Sequence, residues 1–487
     1  MSVLSPTREY LVTEYSTTVK NNEIYYADAS ELSARIHSKD VSPVDVVRAH
    51  LERIESVNPK LNAIVTVADS ALERAREAEA AIVRGESWGP LHGVPFTMKD
   101  VFDTAGVRTT RGSKLFAARI PSRDATVVER LKKAGGILIG KTNVPEFALA
   151  AETSNVLFGR TRNPWNLDRT PGGSSGGEAA AIAAGMSPLG VGSDLGGSNR
   201  VPAHYCGIVG LKATHGRVPL TGHWPELLAH SMHAGPMARS VRDVVTALTV
   251  LSGSDGRDPY ATPAAVPDFS RLLVSLPRLR VAWLAEGPFD PVAEEIQAVV
   301  GHAAVALEEL GCTVEPISLS SWREFTPIDV CLTLLASEGI HYLSPFVAGR
   351  HDELAGSIRG LFDLRTPSLE EHLRAVRRCE EFRADMAELF SIYDLLLCPV
   401  APLVAHAHDA SELRVDEHTV PPHHAASITA SFGLSGSPAI SIPFGWSRQQ
   451  LPIGVQLVAH RFHEETLLQV ATGLEKLYAP PSVRPPL

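Results

Sequence analysis

Apolar residues at Val44, Val47, Leu51 and Ile54 recur every three or four positions, the spacing that gathers side chains on one face of an α-helix. Ser42 in front, Pro43 at the first helical position and Asp45 just inside supply a start signal, and Asn58-Pro59 supplies a stop. A second helical run is predicted from Ser70 to Ile82. The period then changes. Gly93 to Met98 is a short, mostly apolar run that reads as a strand delivering Lys99 at its end. Asp124 is placed to cap a helix reaching Leu131, and Gly136 to Gly140 reads as a second buried strand.

Further along, Glu178 to Ala184 reads as a helix whose N-terminus, rich in unpartnered amides, receives the Gly/Ser loop before it. The apolar stretch from Ala179 to Val191 is interrupted by Pro188 and falls short of the roughly 20 residues a membrane span needs, so it is expected to form a packed internal helix. Leu279 to Leu284 predicts a strand, Asp290-Pro291 a helix start running to Leu310 with Gly311 as its left-handed cap, and Thr313 to Ile317 a returning strand. That order favours a parallel or mixed sheet with helices on both faces, an α/β fold. Residues 320–392 are more helical and charged and are expected to cover the site, while Asp394 to Cys398, Pro438 to Ile442 and Val455 to Val458 predict three further core strands. With no internal repeat, the organisation reads as an N-terminal arm over 1–27 and a single domain over 28–487.

Composition changes this picture little. The 487 residues are 44% hydrophobic and 21% charged, values of a folded soluble chain, and the 37 glycines and 35 prolines follow no period. A net charge of -10 without a basic block argues against nucleic acid and anionic membranes as partners, leaving a neutral or cationic small molecule easy to accommodate. Glu9, Glu14, Glu23 and Asp28 mark an N-terminus without the apolar core of a secretory signal, so a cytoplasmic location is expected. Cys206, Cys312, Cys331, Cys379 and Cys398 are odd in number and widely spaced, a pattern of neither a disulfide framework nor a metal knuckle.

The chemistry lies in two glycine-framed serine loops, Pro171-Gly-Gly-Ser-Ser-Gly-Gly177 and Gly192-Ser-Asp-Leu-Gly-Gly-Ser-Asn-Arg200. Gly196 and Gly197 before Ser198 let backbone N–H groups converge on a small volume where a carbonyl oxygen turns negative, an oxyanion hole. With Lys99 these loops offer a nucleophile, a relay and a base. On these residues the chain resembles the amidase signature family of serine hydrolases, its acylamidases and aryl acylamidases in particular. The likeness also covers Leu91-His-Gly-Val-Pro-Phe-Thr-Met-Lys-Asp100, Gly140-Lys-Thr-Asn-Val-Pro-Glu-Phe147, Pro202-Ala-His-Tyr-Cys-Gly-Ile-Val-Gly-Leu-Lys212 and Leu451-Pro-Ile-Gly-Val-Gln-Leu-Val458.

The resemblance implies an α/β/α sandwich around a large mixed β-sheet. It makes Ser198 the acylated nucleophile, Ser174 the relay after a cis peptide bond, and Lys99 the base. The oxyanion donors fall at Leu195, Gly196, Gly197 and Ser198, with Ser175, Asp194 and Arg200 in support. A lysine acting as base near pH 7 needs its pKa to fall several units from about 10.4, which burial can supply. Asp100 is therefore expected to point away from Lys99. No metal or organic cofactor is needed. The expected partner is a small-molecule amide, not nucleic acid or membrane, and a homodimer is left open.

Competing signals are weaker. Gly135-Gly-Ile-Leu-Ile-Gly-Lys-Thr142 matches a phosphate loop, but Ile137, Leu138 and Ile139 look like the strand itself. The histidines near 204–233 and 406–424 match no metal motif, and Ser198 lacks the G-x-S-x-G elbow of a Ser-His-Asp hydrolase. Asn199 and His204 depart from the family pattern beside the nucleophile and join Met98, His223 and Trp224 as pocket candidates; His215 also departs, replacing a usual tyrosine. Val201 stands where tRNA-transamidating relatives usually carry glutamine, which disfavours that activity. The expected reaction is hydrolysis of a small, hydrophobic or aryl amide through an acyl-serine. Carbamate or ester hydrolysis and, remotely, an inactive scaffold are the alternatives.

Overall fold

A computed structural model describes residues 24–264, 278–286, 288–323, 326–478 and 483–487. Residues 1–23 of the expected arm lie outside the described residues. Eleven strands form one sheet: β1 (Ile64–Val67), β2 (Pro95–Lys99), β3 (Ile137–Thr142), β4 (Leu189–Asp194), β5 (Val209–Lys212), β6 (His233–Ala238), β7 (Arg280–Glu286), β8 (Thr313–Ser318), β9 (Leu395–Pro399), β10 (Ala439–Trp446) and β11 (Pro452–Ala459). Their spatial order is β1-β3-β2-β4-β6-β5-β10-β11-β9-β7-β8. The sheet is mixed. β2 runs parallel to β3 and β4, and β7 to β8 and β9, whereas β4 pairs antiparallel with β6 and β11 with both β9 and β10. The parallel pairs require crossovers, which helices provide.

The helices are α1 (Ala29–His37), α2 (Pro43–Leu61), α3 (Ala71–Val83), α4 (Thr126–Lys133), α5 (Gly176–Ala183), α6 (Arg200–Cys206), α7 (Val241–Leu251), α8 (Glu294–Glu309), α9 (Pro327–Val347), α10 (Gly356–Asp363), α11 (Leu369–Ile392), α12 (Ser427–Ser435) and α13 (Glu464–Leu477). They pack on both faces, and strand alternation divides the core accordingly. On β3, Leu138 joins a cluster with Val128 and Leu131 of α4, while Ile137 and Ile139 face Ala180 and Ala181 of α5. On β9, Leu395 and Leu397 face one side, and Leu396 and Cys398 meet Phe382 of α11 and Phe432 of α12 on the other.

Several boundaries depart from expectation, each for a local reason. Ser42 caps α2 through Val44 N at 3.0 Å, but Pro59 sits inside the last turn; the stop is Asn62 in the left-handed region, its N–H bonded to Asn58 O. Asp124 does not cap α4. Its carboxylate instead accepts from Ala105 N at 2.8 Å and from Lys132 Nζ. The expected single helix over 179–191 is split, because Gly185 turns left-handed at φ 73° and the chain re-enters the sheet as β4. Asp290-Pro291 precedes rather than starts α8, which begins at Glu294 after Ala293 N bonds Pro402 O at 2.9 Å.

Candidate active site

β2 sets Lys99, the expected base, by alternation. Phe96 and Met98 point into the apolar cluster on one face, so Thr97 and Lys99 point to the other, toward α5. This corrects the placement of Met98 in the pocket: it is core. Lys99 is wholly buried, and its Nζ meets Ser174 Oγ at 2.7 Å, Ser193 Oγ at 3.0 Å and Ser193 O at 3.1 Å. Burial pulls its pKa down to about 7 against the opposing pull of Asp194 and Glu178, which favour the ammonium. Asp100 turns away. It accepts from Thr110 N at 2.9 Å and Thr110 Oγ1 at 2.6 Å and faces Lys141 at 3.5 Å.

Ser174 follows a cis peptide bond from Gly173 and precedes the first turn of α5. Next to it, Ser175 N donates to Ser198 O at 3.1 Å and Ser175 Oγ to Asn199 Oδ1 at 3.0 Å, tying the two serine loops together. Asp194 organises the second loop: its carboxylate accepts from Gly197 N at 2.8 Å, Asn199 N at 3.1 Å, Arg200 Nε at 2.9 Å and Arg200 Nη2 at 2.7 Å. Burial alone would raise the Asp194 pKa, but Arg200 and these donors hold it below the usual carboxylate value. Arg200 in turn donates to Gln456 Oε1 of β11 at 2.8 Å. Ser198 therefore rides, half-buried, on a braced loop.

The Gly197 N–H is committed to Asp194, which removes it from the expected set of oxyanion donors. Among the described residues, the N–H groups of Leu195, Gly196 and Ser198 have no partner in the protein and are free to meet a developing oxyanion. The loop is pressed from above by α12: Thr429 Oγ1 donates to Gly196 O at 2.7 Å, and Gly197, at φ 123°, has no room for a side chain against the same hydroxyl. Sequence reasoning missed Thr429 and Ser193. Ser193 stands in the second serine loop itself, one residue before Asp194, whereas nothing in the sequence joins Thr429 to Gly196. It also missed Glu178, whose buried carboxylate accepts from Thr97 Oγ1 and, at 2.9 Å, from Thr142 Oγ1. Burial pushes the pKa of Glu178 up to about 7.

Two departures from the family pattern are structural rather than pocket-forming. Asn199 is fully buried and donates to Leu211 O at 3.1 Å and Gly235 O at 3.2 Å, because the turn into α6 aims it inward. His204 is equally buried, accepting from Gly454 N at 2.8 Å and bonding Leu403 O at 3.2 Å; burial drops its pKa to about 4. His215 bonds Ala229 O at 2.9 Å. Lys141 of the phosphate-loop match is buried on β3 and donates to Phe102 O, Thr104 Oγ1 and Thr109 Oγ1. Among the described residues no group of three His, Cys, Asp or Glu is placed to hold a metal ion.

His223 and Trp224 lie in the segment that pairs with the residues just after Lys99, His223 through a bridge to Phe102. His223 packs edge-on against Phe102 and lines a cavity of about 400 Å³ with Leu220, Met232 and Tyr260. Trp224 N donates to Val101 O at 3.0 Å, and its ring meets Phe116, Phe147 and Phe346 edge-on at 5.2, 5.2 and 5.5 Å. Two segments run from this aromatic group to glycines of the serine loops. The segment 147–152 reaches from Phe147 to Gly173, where a side chain would stand 2.8 Å from Ala150 O. α9 carries Tyr342 and Phe346 against Trp224 and, nearer its start, Cys331 toward Gly196.

The Amidase family model matches residues 45–468. A glutamyl-tRNA(Gln) amidotransferase subunit from Carboxydothermus hydrogenoformans is 36% identical over 485 residues, covering 93% of this chain and 98% of that protein. Among solved structures, a bacterial aryl acylamidase of the amidase signature family is 29% identical with a TM-score of 0.86, covering 93% of this chain and 96% of its own. A chain from a vestigial protein complex, described as revealing the evolutionary origins of an s-triazine catabolic enzyme, is 32% identical with a TM-score of 0.87 and coverages of 95% and 100%.

Proposed function

This chain belongs to the amidase signature family, whose hydrolases act on C–N bonds, and we propose that it cleaves small amides with an apolar acyl or aryl portion. Ser198 Oγ attacks the amide carbonyl while its proton passes to Ser174, whose own proton goes to neutral Lys99. The carbonyl oxygen, now negative, is met by the N–H groups of Leu195, Gly196 and Ser198, each contributing on the order of 3 kcal/mol to the transition state. As the C–N bond breaks, Lys99 returns the proton through Ser174 to the leaving nitrogen, and an acyl ester remains on Ser198. Water then attacks by the same relay, and Ser198 leaves with the proton Lys99 has taken up. The 2.7 Å contact between Lys99 and Ser174, with the lysine pKa near 7, supports this direction of transfer.

The observation that carries the substrate class is the aromatic group around Trp224, linked to the Lys99 strand through Val101 and to Gly173 through the segment 147–152. Such a wall favours flat or apolar groups. A second reading, part of an amidotransferase that works on glutamyl-tRNA(Gln), is favoured by the names of relatives such as that of Carboxydothermus hydrogenoformans. Against it stands Val201, buried against Gly197 in the place where the transamidating pattern has glutamine. A panel of glutamine, short aliphatic amides, anilides, aryl esters and aryl carbamates at matched concentration separates these. Anilide turnover above glutamine turnover is expected. Efficient glutamine turnover with negligible anilide turnover moves the chain to the second reading, and a much higher carbamate than amide kcat/KM moves it to carbamate hydrolysis.

A further inference from the structure

Arg111 sits on the loop that follows β2 and folds back onto it. Its N–H donates to Asp100 O at 3.0 Å and its carbonyl accepts from Phe147 N at 2.8 Å. The residue is held in the left-handed region at φ 59°, an uncommon conformation for a long side chain that the surrounding contacts must impose. Its guanidinium lies over two rings that meet edge-on, 4.3 Å from the centroid of Trp224 and 4.5 Å from that of Phe116. The side chain is 8% exposed.

This buried group shares its counter-charge. Asp103 pairs with it at 3.6 Å but is held more closely by Arg119, at 2.7 and 2.6 Å. Among the described residues Nε of Arg111 has no partner. Burial, with Arg119 adding to it, brings the Arg111 pKa down to about 10, so the guanidinium is still charged near neutral pH. A buried cation that shares one carboxylate with a second arginine and keeps an unpartnered N–H is costly, and two aromatic faces offset only part of that cost. The surroundings open outward: Phe116, Leu149 and Tyr342 are half-buried and Phe346 is 42% exposed.

We propose that Arg111 recognises a carboxylate on the part of the substrate remote from the scissile amide, with Phe116 and Trp224 fixing the guanidinium fork and packing against the apolar portion between. The proposal rests on the small-amide reading above. A guanidinium is suited to this role because its planar fork engages both carboxylate oxygens, which an ammonium cannot do. The overall charge of -10 does not oppose it, since recognition here depends on a local, water-poor site.

The test uses the full chain and three anilides: butyranilide, N-phenylsuccinamate with its carboxylate on the acyl side, and 4-butyramidobenzoate with its carboxylate on the amine side. In the wild type one of the two acids is expected to exceed butyranilide in kcat/KM by about tenfold or more, through KM rather than kcat. Arg111→Gln brings the ratio of acid to neutral substrate to about one, and Arg111→Lys, which keeps charge without the fork, leaves an intermediate ratio. Turnover of butyranilide with no advantage for either acid, or an advantage that survives in Arg111→Gln, overturns the proposal alone. Turnover of glutamine with none of the three anilides overturns the small-amide reading and this proposal together.

Discussion

Around Lys99 the side chains are polar, buried and held to partners in the protein, whereas around Trp224, joined to the segment after the same strand through Val101 O, they are mostly aromatic and aliphatic, with Arg111 as the charged exception, and grade from buried to half-buried. On the proposed mechanism, the contrast follows from what each region would have to do. Proton transfer needs donors and acceptors fixed within hydrogen-bond reach in a medium of low dielectric, so Lys99, Ser174, Ser193 and Glu178 leave no freedom of placement. An apolar wall needs shape, and several ring arrangements serve equally well. Substitutions in the polar region are therefore expected to act on kcat, and those in the aromatic region on KM.

The largest effect sharpens the polar side of that contrast. Ser198→Ala is expected to lower hydrolysis by roughly 10⁴-fold or more while leaving the fold intact by circular dichroism. The acyl adduct seen by mass spectrometry of a quenched wild-type reaction disappears with it. An adduct found on Ser174 in the wild type, with Ser198 unmodified, would reverse the assignment of the two serines.

Lys99→Met comes next and tests charge as well as chemistry. With its pKa near 7, the wild-type base is neutral above that pH, so kcat/KM is expected to rise about tenfold per pH unit below 7 and to level off above it. The same depression affects folding. Between about pH 7 and the unfolded value of about 10.4, the unfolded chain binds the extra proton, so this lysine makes stability rise with pH over that window and costs stability below it. Lys99→Met should therefore lose turnover and melt higher than the wild type at pH 7. A variant that kept wild-type amide turnover would sink the neutral-lysine relay, and an unchanged or lower melting temperature would contradict the burial cost.

The two regions also differ in how far the sequence reveals them. Ser174 and Ser198 stand in glycine-framed loops and Lys99 in a block that carries the family resemblance, whereas the expected pocket place of Met98 overlooks the strand alternation, present in 93–99, that turns Met98 to one face and Lys99 to the other. Nearness to Ser198 along the chain nevertheless misled for Asn199 and His204, since the turn into α6 sends both inward to backbone partners of β5, β6 and β11. The aromatic region was legible only at Trp224. Arg111, Phe116, Tyr342 and Phe346 come from separate loops and from α9, and no local period links them. Asp290-Pro291 carried a helix-start signal, yet the register of α8 is set by a tertiary bond from Ala293 N to Pro402 O.

On the aromatic side, Trp224→Ala removes a ring that touches Phe116, Phe147 and Phe346. The expected result is a KM for anilides raised about tenfold, equivalent to about 1.4 kcal/mol, with kcat changed less. The KM of a short aliphatic amide, too small to reach the wall, should move little. A fall confined to kcat would mean that Trp224 acts by holding Val101 and the Lys99 strand, which would erase the division between the two regions.

The smallest effect probes the edge of the polar region, at Glu178. Its carboxylate is bonded to Thr97 and Thr142, and its charge favours the ammonium form of Lys99. Glu178→Gln keeps the volume and an acceptor for one of those hydroxyls but removes the charge, so the Lys99 pKa should drop further and the acid limb of kcat/KM should move to lower pH. Glu178 is only partly ionised near pH 7, because burial raises its own pKa to about 7, so the gain at pH 6 is expected to be at most a few-fold. Stability gives an independent check of sign. A carboxyl with its folded pKa raised binds the extra proton between about pH 4.3 and 7, so the wild type loses stability as pH rises through that window, and Glu178→Gln should escape this loss. Melting curves flat across the window together with an unshifted acid limb would support the coupling to folding and refute the coupling to Lys99, leaving Glu178 as a strand clamp rather than a setting for the base.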